Sequence, residues 1–419
     1  MNQPDLLAVG HAAMAQAHEL ILVGGALGVL SIIAGLLSRR IGAPVLLVFL
    51  ALGMLAGQGG ILGLRFENYA AAYLIGSVAL AVILFEGGLK TPPAILRLAF
   101  WPAILLATVG VAVTAAITGA AVSLLDGVPL AAGLLFGSAA APTDAAAVAV
   151  LLRRARVALP ERLSALLEVE SGLNDPMSIF LTILLVHIIV EPGWLTPSHA
   201  VVLFTEEMVG GAVLGLAGGW LLALALRRLP LEASLATVMA LTGALALFGI
   251  AQLLGTSGFL AIYLAGVVTD AASPRQRTDL EHFFEGLAWL AQIVLFVMLG
   301  LLVVPHDLPP FIPLAVAAAA VLIFVARPVA VFACLLPFRF TVRESAFASW
   351  VGLRGAVPIY LSFLPALADP QRDKAFFAGI FILVIASLVV QGWTVAPAAR
   401  LLGFGERRSD PSRSAAAPN

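Results

Sequence analysis

Long apolar stretches alternate with short polar turns along almost the whole chain. Crossing the ~30 Å hydrocarbon layer of a membrane takes roughly 20 residues of helix. The pattern predicts thirteen such spans, at 20–38, 43–57, 70–89, 98–125, 129–152, 161–190, 200–226, 233–253, 256–271, 279–304, 311–337, 344–366 and 375–401. We therefore predict an all-α membrane protein with one transmembrane domain over residues 1–402 and a short, disordered cytoplasmic tail over 403–419.

The basic residues predict the orientation of these spans. Cytoplasmic loops of membrane proteins carry an excess of lysine and arginine. With the N-terminus outside, the inner loops and the tail hold 18 of the 23 basic residues, the outer loops hold three, and two lie within spans. A count that is wrong by one helix would destroy this asymmetry. The sequence thus predicts a multi-pass protein of the cell (inner) membrane, with its C-terminus in the cytoplasm.

Composition agrees with lipid as the surrounding solvent. The 419 residues are 61% hydrophobic and 11% charged, whereas a soluble domain carries about 25% charged residues. The first residues lack the basic region of a cleaved signal peptide, so we expect the first span to remain in the mature protein. Neither a Walker loop nor a dinucleotide fingerprint is present. We therefore predict no cofactor, no enzyme activity, no nucleic-acid partner and no nucleotide-driven pump in this chain.

Two of the predicted spans are interrupted near the middle of the membrane. Pro142 removes a backbone donor from span 129–152, and span 344–366 combines glycine, Arg354 and Pro358. Interrupted helices in corresponding positions of two halves indicate a transporter site. With span 200–226 as a linker, each break lies in the fifth helix of a six-helix unit, which predicts an inverted repeat with two crossing helices. The alternative is that glycine and proline only allow close packing.

Span 161–190 carries most of the candidate chemistry. Residues three and four apart share a helix face, so Glu168, Ser171 and Asp175 form one stripe, and Glu170 and Asn174 form its neighbour. The first stripe climbs about 10 Å from the cytoplasmic end. A buried carboxylate is costly unless it is protonated, paired or bound to a cation. A proton and a monovalent cation can therefore compete for Asp175, unless this residue only forms a buried ion pair.

Further ionisable groups within the spans have several possible roles. We expect Glu170 and Arg354 to form a structural ion pair, and Arg327 to be structural by neutralising the C-terminal end of a helix. Asp144 is predicted to be a cation ligand, a helix cap at the break, or both. Glu86 is either part of the site or a solvated cavity wall.

Six short motifs, taken together, resemble a known family. They are Phe85-Glu86-Gly87-Gly88-Leu89, Ala141-Pro142-Thr143-Asp144, Glu170-Ser171-Gly172-Leu173-Asn174-Asp175-Pro176, Gly258-Phe259-Leu260-Ala261, Ala326-Arg327-Pro328 and Gly352-Leu353-Arg354-Gly355-Ala356-Val357-Pro358. Their order and placement over residues 20–402 resemble the NhaP-type bacterial sodium(potassium)/proton antiporters of the cation:proton antiporter family. The sequence around Asn174-Asp175-Pro176 looks most similar to the potassium/proton branch.

The resemblance implies a site and a mechanism. The residues it implies for binding of cation or proton are Asp175, Asn174, Asp144, Thr143, Ser171 and Glu86, with Glu170 and Arg354 as a structural pair. It implies a homodimer in which a core part (spans 4–6 and 11–13) moves like an elevator against a dimerisation part (spans 1–3 and 7–10). An Asn-Asp pair at 174–175, in place of Asp-Asp, implies electroneutral one-for-one exchange.

Two other functions compete with cation/proton antiport. A transporter of an organic anion would need exposed positive charge at its site, and the spans are richer in carboxylates. A non-transporting sensor or scaffold would give no cation-linked proton movement. The residues leave the choice among Na+, K+ and Li+ open.

Overall fold

The computed structural model of the chain describes residues 3–41, 44–66, 68–191, 193, 196–272, 277–368 and 374–405. Within these ranges the regular structure is helical, and an isolated bridge between Gly57 and Leu64 is the sole β contact. The predicted all-α class is therefore confirmed for this part of the chain. Residues 406–419 of the predicted tail lie outside the described ranges.

Nine helices of the described chain are long and apolar enough to cross a membrane. They are Ile21–Ser38 (within the longer helix Gln3–Ile41), Tyr69–Leu89, Pro93–Asp126, Glu161–Val190, Ser198–Arg228, Ala233–Leu253, Arg277–Leu301, Pro309–Phe338 and Lys374–Leu401. A tenth candidate is the pair Leu130–Ala140 and Ala145–Arg154, which is bent by 41°. The shorter apolar helices are Val45–Ala56, Gly258–Ala271 and Ala356–Pro365, and the last follows helix Val342–Trp350. Each predicted span thus coincides with a helical segment.

Local sequence explains where several helices begin and end. The Asn68 side chain accepts a hydrogen bond from the Ala71 N–H at 2.9 Å, which caps helix Tyr69–Leu89. Thr341 and Glu344 form a reciprocal capping box at the start of Val342–Trp350. Gly127, with φ 69°, provides the left-handed residue that ends Pro93–Asp126.

Two long helices contain a π turn at the same distance from their starts. Leu106–Gly110 begins thirteen residues after Pro93, and Leu322–Ala326 begins thirteen residues after Pro309. The two helices pack against each other near these turns, and the Cys334 thiol lies 3.7 Å from the Leu105 carbonyl oxygen. A π turn widens the helix and displaces the residues that follow it. Arg327 is the first residue after the second turn.

Glycine allows two helices beside the site to approach closely. A Cβ atom added at Gly88 would lie 2.2 Å from the Tyr263 carbonyl oxygen, and one at Gly266 would lie 2.4 Å from the Phe85 carbonyl oxygen. No side chain fits in that space, so helices Tyr69–Leu89 and Gly258–Ala272 touch backbone to backbone. This contact fixes the position of Glu86 relative to Tyr263.

Candidate ion-binding site

The first interrupted helix leaves a short non-helical segment, residues 141–144, between Leu130–Ala140 and Ala145–Arg154. Asp144 is the N-cap of the second half, where its carboxylate accepts a hydrogen bond from the Ala147 N–H at 2.9 Å. Its own N–H donates to the Leu353 carbonyl at 2.8 Å. The backbone of this break is thus tied to a segment more than two hundred residues further along the chain.

The second break, residues 351–355, lies between Val342–Trp350 and Ala356–Leu361. A Cβ atom added at Gly355 would lie 2.7 Å from Oδ2 of Asp144 and 2.9 Å from its Cβ. Glycine is therefore required here by the close approach of the two breaks. Together with the bond from Asp144 to Leu353, this contact holds the two interrupted segments directly against each other.

Arg354 donates to two backbone carbonyls of the first break. Its Nη1 donates to the carbonyl oxygens of Ala141 and Pro142, the latter at 2.9 Å. Its backbone N–H donates to Ser387 Oγ at 3.1 Å, and the whole residue is 1% exposed. Carbonyls in a non-helical segment have no partner within a helix, and lipid offers none. Arg354 supplies that partner because its own backbone is held beside the first break.

Glu170 pairs with Arg327, and not with Arg354 as the sequence suggested. The guanidinium of Arg327 donates from Nη1 and Nη2 to the two carboxylate oxygens at 2.6 and 2.8 Å. The predicted Glu170–Arg354 pair and the predicted role of Arg327 at a helix end are therefore both wrong. The two arginines have exchanged roles. Arg354 donates to the freed carbonyls of the first break, and Arg327, the first residue after the second π turn, pairs with Glu170.

Asp175 lies beside a polar network that joins the acidic helix, Glu161–Val190, to the first break. Asn174 donates through Nδ2 to Thr143 Oγ1 at 2.6 Å, and Ser171 donates to the Thr143 carbonyl at 2.8 Å. The Ser171 oxygen also accepts from the Ala145 N–H at 3.1 Å. Oδ1 of Asp175 and Oδ1 of Asn174 are buried without a hydrogen-bond partner among the described residues. Two oxygen acceptors are thus left free next to a network that positions them.

A cavity of about 510 Å³ connects this network to the end of the molecule that carries Lys90 and Arg153. We call it the Asp175 cavity. Its wall contains the predicted stripe of Glu168, Ser171 and Asp175, together with Asp144, Thr143, Glu86, Pro142 and Pro358. Asn174, Glu170, Arg327 and Arg354 lie behind this wall. The structure therefore brings the two candidate acids, Asp144 and Asp175, onto the wall of one cavity.

Glu86 lines the same cavity but is not free. Its carboxylate forms an ion pair with Lys90, one helical turn later, and Lys90 also lies 3.8 Å from Glu285. Glu168 is held by Thr91, whose hydroxyl donates to Oε1 at 3.1 Å. Sequence reasoning missed Lys90, Thr91 and Ser387 as contributors. The spacing of four residues between Glu86 and Lys90 was a usable signal for their pairing.

Comparison with known proteins agrees with this architecture. Residues 28–401 match the family model described as the sodium/hydrogen exchanger, transmembrane. The chain is 46% identical over 382 residues to the K(+)/H(+) antiporter NhaP of Alkalimonas amylolytica, and 42% identical over 386 residues to the K(+)/H(+) antiporter NhaP2 of Shewanella oneidensis. These matches cover 91% and 92% of this chain and only 66% and 67% of those two proteins.

A solved structure has the same fold. The sodium proton antiporter MjNhaP1 from Methanocaldococcus jannaschii superposes with a TM-score of 0.80, over 92% of this chain and 99% of that one, at 23% identity. The pairing of two interrupted helices beside a carboxylate-lined cavity occurs here within a family match that spans nearly all the described helices. The chain is a multi-pass membrane protein that belongs to the sodium/hydrogen exchanger family.

Proposed function

We propose that this protein exchanges a monovalent cation for a proton across the cell membrane, with Asp175 as the group that carries either one. The observation that supports this most is the free Oδ1 of Asp175, buried at the Asp175 cavity next to Thr143 and Asn174. A carboxylate in that position is stable when it binds a proton or a cation, and costly when it binds neither. Competition for one oxygen cluster couples the two ions.

The cation site combines Asp175 with oxygens that suit an alkali ion. The neighbouring oxygen ligands come from Asp144, Thr143, Ser171 and the amide of Asn174. We favour K+ as the physiological cation because the two bacterial relatives named above are K(+)/H(+) antiporters. Na+ and Li+ are the competing cations, and the experiment below includes both.

Topology and orientation complete the proposal. We propose that the nine long helices, the bent pair and the three shorter apolar helices make thirteen crossings. The excess of basic residues supports an N-terminus outside and a mouth of the Asp175 cavity, with Lys90, Arg153 and Arg154, at the cytoplasmic face. In this orientation the Asp175 cavity is the path from the cytoplasm to Asp175.

An inverted repeat and an elevator-like movement are further parts of the proposal. The fourth helix of each six-helix unit carries its π turn at the same offset, and the fifth helix of each unit is interrupted. The Asp175 cavity is lined on one side by the interrupted helices and the acidic helix, and on the other by helices that carry Glu86, Tyr263 and Glu285. Sliding of the first group against the second, with the second forming a homodimer in lipid, would expose the cavity to the other side.

One-for-one exchange follows from a balance of charges around the site. Glu170 is paired with Arg327 and Glu86 with Lys90. Arg354 lies next to the break that carries Asp144, so its charge offsets that carboxylate. Of the four carboxylates Glu86, Asp144, Glu170 and Asp175, Asp175 is then the one whose charge no neighbouring base offsets. If Asp175 alternates between one proton and one monovalent cation, the moving part carries the same net charge across the membrane in both directions.

The test is a proteoliposome assay with a pH-sensitive dye, in which K+, Na+ and Li+ are added separately. We expect K+-evoked proton movement in the wild type and none above protein-free vesicles for Asp175→Asn, which keeps the shape and removes the titrating oxygen. Ser178→Ala, which changes the same helix one turn away, is the matched control and should retain exchange. Cation-evoked proton movement of normal size in Asp175→Asn would falsify the proposal.

Transport of an organic anion is less consistent with the site. Such a solute needs a cationic group that is free to bind it. Both arginines within the spans are already bound, Arg327 by the Glu170 carboxylate and Arg354 by two carbonyl oxygens.

A further inference from the structure

A second, smaller cavity lies on the opposite side of Asp175. It has a volume of about 190 Å³ and we call it the Glu207 cavity. Its lining residues are Tyr73, Ile179, Ile183, Glu207, Gln252, Gly255, Thr256, Ser257, Phe259, Tyr360 and Leu364. Glu207 is the one acidic residue in this lining, and Gln252, Thr256 and Ser257 add neutral oxygen donors.

The two cavities lie in line along the same helices. Three helices contribute neighbouring positions to both, with Asp175, Tyr263 and Pro358 on the Asp175 cavity and Ile179, Phe259 and Tyr360 on the Glu207 cavity. Two of these steps are four residues, which is about 6 Å of helix, and the third is two residues. The layer that separates the cavities is therefore about one helical turn thick.

Tyr360 is the central side chain of that layer. Its hydroxyl forms a 2.8 Å hydrogen bond with Ser77, and its ring stacks on Tyr73 with centroids 5.6 Å apart. Phe259 closes the other side, with its ring centroid 6.1 Å from that of Tyr360. These contacts join a helix of the interrupted group to the helix that carries Glu86, so they must separate when the two groups slide.

Glu207 has no structural task that would explain a carboxylate within a membrane helix. It is half-buried in the π turn Thr205–Val209, and its side chain has no hydrogen bond or ion pair with any described residue. Its carbonyl accepts the Ser257 N–H at 3.0 Å, which attaches the π turn to the cavity wall. Single π turns frequently mark functional sites. A partnerless acid at this depth needs a proton or a cation.

We propose that the Glu207 cavity is a second monovalent-cation site, at the outer end of the ion path, where Glu207 holds the cation before or after its transfer past Tyr360. The inference rests on the exchange and orientation proposed above. It goes beyond them by assigning a carboxylate outside the Asp175 cavity to ion binding. Glu206 provides a matched control, because it is the adjacent acid, is exposed, and does not line the cavity.

The first test measures the cavity without any need for transport. Thr256→Cys is made in a Cys334→Ser background, and right-side-out vesicles are treated with impermeant thiol reagents of opposite charge. The cationic reagent should react about tenfold faster than the anionic one, since the Glu207 carboxylate on the same cavity wall attracts one and repels the other. Glu207→Gln should bring the ratio close to one, Glu206→Gln should not, and K+ or Na+ should lower the ratio in the parent. No labelling from outside, or a ratio that Glu207→Gln leaves unchanged, overturns the proposal.

The second test measures exchange from each face of oriented proteoliposomes. Glu207→Gln should raise the half-saturating K+ concentration about tenfold at the outer face and leave the inner-face value unchanged, and Glu206→Gln should change neither. If the wild type exchanges and Glu207→Gln has the same half-saturating K+ concentration at the outer face, the Glu207 site is rejected and the proposed function is not. A wild type that exchanges no cation rejects the proposed function, and the labelling ratio then still decides whether Glu207 attracts cations.

Discussion

The carboxylate of Glu170 and the guanidinium of Arg327 form a two-pronged ion pair with N···O distances of 2.6 and 2.8 Å, and both side chains are almost fully buried. The pair joins the acidic helix to helix Pro309–Phe338, in the layer directly behind Asp175. Two parallel hydrogen bonds fix the orientation of both groups as well as their distance. The pair therefore holds the helix that carries Asp175 in register with the helix that packs behind it.

Removal of one partner from this pair should destabilise the protein strongly. Arg327→Ala leaves the Glu170 charge buried and unpaired, which costs about 3–5 kcal/mol. We expect a clearly lower unfolding temperature in detergent, measured by intrinsic fluorescence. The double variant Glu170→Gln/Arg327→Ala should recover part of the loss. An Arg327→Ala protein as stable as the wild type would contradict a structural role for the pair.

Substitution of Arg354 should have a different effect, because this residue donates hydrogen bonds to backbone carbonyls and forms no ion pair with Glu170. A double-mutant cycle between Glu170→Gln and Arg354→Gln should give a coupling energy much smaller than the cycle between Glu170→Gln and Arg327→Gln, since only contacting groups couple strongly. Arg354→Lys should also be impaired, because the shorter lysine side chain ends before the position of Nη1, the atom that donates to both carbonyls. Equal coupling energies in the two cycles would restore the pairing first inferred from the sequence.

The sequence predicted the positions of the helices better than the partners of the buried charges. Hydropathy and the basic residues between spans depend on local composition, so every predicted span coincides with a helical segment. Which arginine reaches Glu170 depends on packing between helices that are 157 residues apart in the chain, and no local pattern encodes that. The freed carbonyls at Pro142 were a missed signal. Buried backbone carbonyls need hydrogen-bond donors, so the break at Pro142 required a donor from elsewhere in the chain. Arg354, in the other interrupted span, could have been named as that donor.

Close contact of the two breaks gives a prediction for Gly355. A methyl group there would overlap the Asp144 carboxylate, with a Cβ–Oδ2 distance of 2.7 Å. We expect Gly355→Ala to lower the rate of exchange by tenfold or more, equivalent to about 1.4 kcal/mol. Gly87→Ala is the matched control, since a Cβ there meets nothing within 4 Å. Unchanged exchange in Gly355→Ala would show that the breaks are free to move apart.

The two roles of Asp144 can be separated by substitution. Asparagine caps a helix as well as aspartate does, whereas alanine loses about 1 kcal/mol of capping. If Asp144 is a fixed cation ligand, Asp144→Asn should keep the unfolding temperature and raise the half-saturating K+ concentration about tenfold. Asp144→Ala should lower both stability and affinity. Identical half-saturation in Asp144→Asn and the wild type would leave Asp144 as a cap alone.

Electroneutral exchange makes a prediction about voltage. Moving one net charge across 100 mV is worth about 2.3 kcal/mol, so an electrogenic cycle would respond plainly. With Na+ or Li+ as substrate, no K+ in either compartment, and the potential set by a gradient of a permeant anion such as thiocyanate, the steady proton gradient should not change with the imposed potential. A shift would mean that a second acid, Asp144 or Glu86, also titrates during the cycle.

The contact between Arg354 and the first break has a consequence for how the protein is made. The Pro142 carbonyl precedes its donor by 212 residues. At about 5–20 residues per second of synthesis, Arg354 is added to the chain on the order of 10–40 s after Pro142. During that time the Pro142 carbonyl lacks its hydrogen-bond donor. During this interval the half-finished bundle must keep the segment hydrated, or bound to the insertion machinery. The first break thus gains its side-chain donor late in synthesis, and ribosome-stalled chains that end before residue 354 should present this break to water-soluble probes.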